Sequence, residues 1–385
     1  MQTSGKSLQA WQVISGGIAG LVLSIGLGRF SYTPMLPLMQ SQAGLSDAMA
    51  GALAAINYAG YMSGALLAAW IDDPRWRQRL YSHGLWLSLL SCVLMALAPN
   101  VWLWALARYL GGLCGAAGML LGSGLVLGWL MRAGRRPELG LHFTGLGLGI
   151  VVSALGAMAM ALFHLNWAHQ WQGYALIGLL FLVPAWAWRP PAPPPGVAAA
   201  GAAPARKWMA LMIAMYFCAG WGFVINATFT VAIVERQPLL AGQGPWAWLL
   251  VGVAATPAVF LWDRVARRLG DVQALLVAFA VQTAGVLLLV LSSSLIAALA
   301  GALLYGATFI GIVSLTLALA GRRSPANPGK AMARLTLSYG VAQITAPALT
   351  GAMVQASGSY TGALWLTAAV LLLGMVVLGA LFKLD

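Results

Sequence analysis

The chain has 385 residues, of which 61% are hydrophobic and only 8% charged. Soluble domains carry about 25% charged residues, so this composition excludes a soluble globular fold and describes a membrane protein. The formal net charge is +13, but the basic residues sit in short loops between apolar runs, which points to orientation in a bilayer and away from nucleic acid.

A helix crossing the hydrocarbon of a bilayer needs about 20 apolar residues. Twelve runs meet that length: 12–38, 48–70, 80–98, 101–131, 139–163, 171–188, 208–234, 244–262, 272–291, 295–320, 331–354 and 362–382. The first is too long for a cleaved signal core and reads as an uncleaved span. It holds Arg29, with Tyr32 and Thr33 on the same helical face. The second holds Asn57, Tyr58 and Tyr61, and the loop after it Asp72, Asp73, Arg75, Arg77 and Arg79. The fourth carries Arg108, then Gly111, Gly112, Gly115, Gly118 and Gly122, spacing that lets helices approach closely in lipid. It ends at Arg132, Arg135 and Arg136. The fifth opens with Glu138 and His142, four apart and on one face.

After the sixth run, Pro190, Pro191, Pro193, Pro194 and Pro195 rule out a span. Residues 190–207 read as a linker between an N-terminal bundle, 1–189, and a C-terminal bundle, 208–385. The seventh run holds Asn226 and Thr230, and the eighth is followed by Asp263, Arg264, Arg267 and Arg268. The tenth holds Tyr305 and Thr308 and ends at Arg322 and Arg323; the eleventh holds Arg334, Tyr339 and Gln343.

Local echoes link the two halves. Ala133-Gly134-Arg135-Arg136 recurs as Ala320-Gly321-Arg322-Arg323, and Gly156-Ala157-Met158 as Gly351-Ala352-Met353. Duplicated membrane bundles place a substrate site between the halves and rock about it, which makes a transporter the leading expectation. With the N-terminus in the cytoplasm, 17 of the 21 Lys and Arg fall in inner segments and only Arg236 in an outer one. Both termini are then cytoplasmic. Cys92, Cys114 and Cys218 lie within spans and read as buried small residues, with no disulfide framework or metal-ligand spacing. No Ser/His/Asp or His/Cys set is placed in a span, so neither an enzyme nor a cofactor is expected.

Every acid lies in a loop or at a span end, whereas Arg29 and Arg108 lie inside spans at similar depth in the outer half. Intramembrane charges are costly and mark function by default. Two guanidinium groups with no acid at their depth need a partner, and an anionic substrate supplies one, since Arg suits bidentate carboxylate or phosphate binding. The expected substrate is therefore an organic anion. A neutral solute or multidrug efflux is the alternative, and snorkelling toward the outer interface is the alternative role of Arg29.

Four patterns resemble the major facilitator superfamily over essentially the whole chain. The loops at Asp72–Arg79 and Asp263–Arg268 resemble its Asp-Arg-x-x-Arg-Arg gate motif. Arg108-Tyr109-Leu110-Gly111-Gly112 is similar to its buried Arg followed by glycines, and Gly28-Arg29-Phe30-Ser31-Tyr32-Thr33-Pro34 resembles a bacterial subgroup. Pro74 departs from the gate motif, and the Gly-Pro step typical of drug/proton antiporters is missing from the fifth span. The resemblance implies an all-α fold of twelve transmembrane helices in two pseudo-symmetric six-helix bundles. It also implies alternating access, a bacterial inner membrane and a monomer. Spans one, four, seven and ten then line a central cavity, which places Arg29 and Arg108 there as expected substrate ligands, with Tyr32, Thr33, Asn226, Tyr305 and, from the eleventh span, Gln343 expected to supply further hydrogen bonds. Asp72 or Asp73 with Arg132 or Arg135, and Asp263 with Arg322 or Arg323, are the expected inner gate. Glu138 and His142 are the expected proton-coupling pair.

Overall fold

The computed structural model describes residues 8–71, 73–135, 140–192, 205–324 and 328–383, with the side chains of 328–330 outside the description. It contains twelve helical segments and, among the described residues, no strand. They are α1 (Ala10–Ala43), α2 (Asp47–Trp70), α3 (Pro74–Leu97), α4 (Val101–Arg132), α5 (Gly140–Leu162) and α6 (Trp167–Ala187). The second six are α7 (Arg206–Glu235), α8 (Gly244–Ala255 and Ala258–Leu269), α9 (Asp271–Leu291), α10 (Leu295–Arg323), α11 (Pro328–Ser357) and α12 (Thr361–Phe382). Nine of these are long and apolar enough to cross a membrane, and the two arms of α8, bent by 48° around Pro257, make a tenth. Helices α6 and α11 complete the set; their hydropathy is diluted by His169 and Gln170 in one and Arg334 and Gln343 in the other.

The helix starts follow local chemistry. Ser46, Asp73, Asn100, Asn166 and Ser294 each accept a hydrogen bond from a backbone N–H in the first turn of the helix they precede. Asp73, expected in the inner gate, is spent in this way on the N–H of Arg75. Arg206 and Lys207, expected in the linker, begin α7 instead, because nothing after Pro204 breaks the helix.

Pairings in the first six helices recur in the second six. Helix α2 packs on α4 as α8 packs on α10, α1 on α5 as α7 on α11, and α3 on α6 as α9 on α12. Between the two sets, α2 meets α11 and α5 meets α8. Small residues sit at the crossings, as close helix packing in lipid requires. A Cβ on Gly60 would overlap the Tyr109 carbonyl and one on Gly112 the Asn57 carbonyl, locking α2 to α4. Gly26 and Gly149 oppose each other where α1 meets α5, and Gly51 opposes Gly351 and the Pro347 carbonyl where α2 meets α11. Leu162, Leu180 and Val376, each at least 70% exposed, belong to the apolar outer face that lipid covers.

Two helices are locally underwound. In α1, residues Val22–Phe30 adopt the wider π-helical winding, and the Ser31 N–H reaches back five residues to the Gly26 carbonyl at 3.0 Å. Ala117–Gly122 of α4 do the same. Such stretches rotate the side chains that follow, and they concentrate at functional sites. Arg29 lies in the first of them.

Overpacking a tight crossing costs about 1–3 kcal/mol. Gly112→Val is therefore expected to lower the melting temperature of the purified protein by several degrees. Gly124→Ala, where nothing lies within 4 Å of the added Cβ, leaves it unchanged. Equal melting of the two variants would contradict the tight α2–α4 packing.

Candidate functional site

A cavity of about 1240 Å³ runs between the two sets of helices. Its deep end is formed by Ile25, Arg29 and Phe30 of α1, Tyr61 of α2, Phe223 of α7 and Gln343 of α11. Its mouth lies among Gly140, Asp263, Arg267, Asp271 and Arg322, at the helix ends that carry the basic loops. The opposite end is closed. There Asp47, the first residue of α2, pairs with Arg236, just after α7, and Gln40 donates to the same carboxylate at 2.7 Å. The Arg236 guanidinium also lies 5.0 Å from the centre of the Tyr360 ring. Burial works against the Arg236 charge, but the Asp47 hydrogen bond and the Tyr360 and Asp47 charges outweigh it, so its pKa is raised. The Thr33 hydroxyl donates to the Ala227 carbonyl, tying α1 to α7 just below this pair.

Arg29 is the one cationic side chain at the deep end of the cavity lining. It is 7% exposed, and its guanidinium carbon lies 4.6 Å from the Tyr58 ring centre and 4.5 Å from that of Tyr61. Its Nε and Nη2 have no hydrogen-bond partner among the described residues. A desolvated cation–π contact contributes about 2 kcal/mol, which offsets part of the cost of burying the charge. It leaves the two N–H groups unsatisfied, at about 1–3 kcal/mol each.

Arg108 lies elsewhere. It does not line the cavity. Its guanidinium spans from the Leu53 carbonyl to the Gly28 carbonyl, both at 3.4 Å, and lies 4.3 Å from the Tyr32 ring centre. The expectation that both arginines face one volume is thus corrected: Arg108 braces α1, α2 and α4 through backbone oxygens. The other expected ligands divide in the same way. Tyr32 donates to the Ala50 carbonyl at 3.0 Å and Tyr305 to the Phe223 carbonyl at 2.9 Å, so both act in packing. Thr33 belongs to the closed end. Asn226 is fully buried, its amide without partners among the described residues, and does not line the cavity. Gln343, with Arg29, does line it.

The inner gate also differs from expectation. Asp263 pairs with Arg267 along the same helix at 2.5 Å, and Arg322 pairs with Asp271 at 2.6 Å, so the expected Asp263–Arg322 and Asp263–Arg323 pairs are not formed. The i,i+4 spacing explains the first, since those two side chains meet without any tertiary approach. Arg132 donates to the Pro191 carbonyl at 3.5 Å, and Arg323 lies 6.0 Å from the Trp208 ring centre. Arg135 accompanies the turn that ends α4, its N–H bonded to the Leu130 carbonyl. Asp72 and Glu138 lie outside the described residues. His142 is buried in α5 against Gly17 of α1, with Nε2 2.8 Å from the Ser123 hydroxyl of α4 and Nδ1 unpartnered among the described residues.

Sequence reasoning named Tyr61 and Tyr339 of the cavity's aromatic lining but passed over Tyr216, Phe223 and Phe309, and the Asp47–Arg236 pair. The pair was marked by the lone outer arginine and an acid on the same side. The missed rings were marked by Tyr216 and Phe223, seven apart and on one helix face.

Known structures share this architecture. The crystal structure of the nucleoside transporter NupG superposes with a TM-score of 0.72 at 13% identity, covering 97% of this chain and 99% of that one. A single-substitution mutant of the same transporter gives 0.76 at the same identity and coverage. At that identity the likeness establishes the fold. No curated sequence matches the chain significantly. The family model described as uncharacterised MFS-type transporter YbfB matches residues 21–379, nearly the whole chain, and the protein belongs to this family of major facilitator transporters.

Proposed function

We propose that the protein moves a small organic solute across a bacterial inner membrane by alternating access, and that the solute carries an anionic group received by Arg29. The observation behind this reading is a buried cation in the cavity that, among the described residues, has no acid at its depth and two N–H groups without acceptors. The acids that do line the cavity, Asp263 and Asp271, sit at its mouth and are engaged by Arg267 and Arg322. An anion reaching the deep end completes the missing hydrogen bonds and neutralises the charge. By the positive-inside distribution the mouth faces the cytoplasm and both termini are cytoplasmic, so the described state is inward-open. Helices α1–α6 and α7–α12 act as the two rocking bodies of a monomer, joined by the segment between α6 and Arg206.

A neutral solute is the second reading. It is favoured by the charge of Arg29 already resting on two tyrosine rings and by the fold shared with a nucleoside transporter. Binding separates the two. A charge-assisted hydrogen bond contributes about 1.5–3 kcal/mol. Carboxylates are therefore expected to bind the wild type tenfold or more tightly than the matching primary amides, and Arg29→Gln to abolish that preference. Equal binding of acid and amide by the wild type would favour the neutral solute.

Alternating access requires the Asp47–Arg236 end to open. The pair is partly exposed, at 34% and 18%, so its contribution is about 1 kcal/mol, enough to shift an equilibrium severalfold. Spin labels on Ser41→Cys and Leu239→Cys report the width of that end, the native cysteines being buried. Asp47→Asn is expected to add a longer-distance population; an unchanged distribution would remove the pair from gating.

Coupling is assigned to the proton at His142, the buried titratable side chain that links α1, α4 and α5. An imposed pH gradient should drive uptake by the wild type and not by His142→Asn. Gradient-driven uptake in the variant would place coupling elsewhere.

A further inference from the structure

We infer that the transported solute is amphipathic, with an apolar body that lies along the middle of the cavity, between the head group held by Arg29 and the mouth. The inference rests on the solute cavity proposed above and concerns the part of the solute that Arg29 does not hold. The lining falls into three zones. At the deep end, Arg29 and Gln343 bring polar side chains that have no hydrogen bond to the protein among the described residues. At the mouth, Asp263 pairs with Arg267 and Asp271 with Arg322. Between the tyrosines that border the deep end, Tyr61, Tyr216 and Tyr339, and the charged mouth, the polar side chains of the lining are Ser314 and Thr336. Each spends its hydroxyl on its own helix: Ser314 donates to the Gly311 carbonyl at 3.0 Å and Thr336 to the Met332 carbonyl at 2.9 Å.

The rest of this middle zone is apolar in both halves and stands open. Leu120 of α4 is 36% exposed and Phe260 of α8 48%, and Met119, Phe143, Val313 and Leu317 are half-buried. On α10 the lining residues Phe309, Val313 and Leu317 recur every four positions, about 12 Å of wall at 1.5 Å per residue. On α5, Leu146 and Phe143 step toward the same mouth, which Gly140 borders. Helix α1 meets α4 with Gly28 against Gly111 and Ser24 against Gly118, so Met119 lies about 8 Å nearer the mouth than Arg29. Apolar side chains held open to an aqueous cavity forfeit the burial that packing would give them, and an apolar guest restores it. A hydroxyl-rich solute loses hydration there that the wall does not replace. At about 1240 Å³ the cavity has room for a drug-sized body beyond the head group.

Acids of one charge and graded body test this on the full-length protein in detergent, with tryptophan fluorescence as readout. The probes are butanoate, hexanoate, octanoate and gluconate, with hexanamide as the uncharged partner of hexanoate. Gluconate has the carbon count and charge of hexanoate but carries a hydroxyl on every carbon after the carboxylate. The wild type is expected to bind hexanoate about tenfold or more tightly than gluconate, and to gain up to about fourfold for each methylene from butanoate to octanoate. Met119→Gln, which keeps the length of the side chain, should lose severalfold in octanoate binding and bind butanoate as the wild type does. Gluconate bound as tightly as hexanoate, affinity that does not rise with chain length, or binding of none of the acids overturns the inference. The ratio of hexanoate to hexanamide reads the charge on its own. A ratio near one with the chain-length gain intact would remove the anion and leave the apolar body; a high ratio with gluconate bound equally would keep the anion and remove the body.

Discussion

A positive charge held in a low-dielectric cavity, with no negative charge at its depth, governs the rest of this molecule. Arg29 keeps its place because α1 unwinds into a π-helical turn across Val22–Phe30 and because Tyr58 and Tyr61 cover the guanidinium with their rings. The rings disperse the charge without accepting its hydrogen bonds. The charge is thus held with its hydrogen bonds incomplete, which a full salt bridge would have completed.

Around that charge the helices divide their work. Arg108, Tyr32 and Tyr305 look like cavity residues by type and position, yet each gives its polar group to a backbone oxygen of a neighbouring helix. They stiffen the bundle where α1, α2, α4, α7 and α10 converge. The glycine crossings at Gly60, Gly112 and Gly51 bring backbones close enough for those bonds to form. The ion pairs are kept to the ends. At one end Asp47 and Arg236 join elements from different halves; at the other, Asp263 and Arg267 pair within one helix. A link across the halves holds one end shut, and a link along one helix leaves the other free to separate.

The fold was largely legible in the sequence, because apolar length and loop charge report directly on a bilayer. Predicted spans such as 101–131 and 272–291 lie within a residue or so of α4 and α9. The break in α8 was missed, since Thr256-Pro257 interrupts an otherwise unbroken apolar run. The site was only partly legible. Arg29 and Gln343 stood out as polar groups within spans, and both line the cavity. Nothing in composition separates Arg29 from Arg108, because the difference lies in which carbonyls each can reach. Phe223 and Phe309 escaped notice because they resemble any other apolar residue until helices from different parts of the chain meet.

The most direct measurement is a structure of the protein with its transported solute bound. The account predicts an acidic oxygen of the solute within hydrogen-bond distance of Arg29 Nε and Nη2, with the guanidinium drawn off the Tyr58 and Tyr61 rings. A solute seated in the cavity while both nitrogens remain without an acceptor would contradict it.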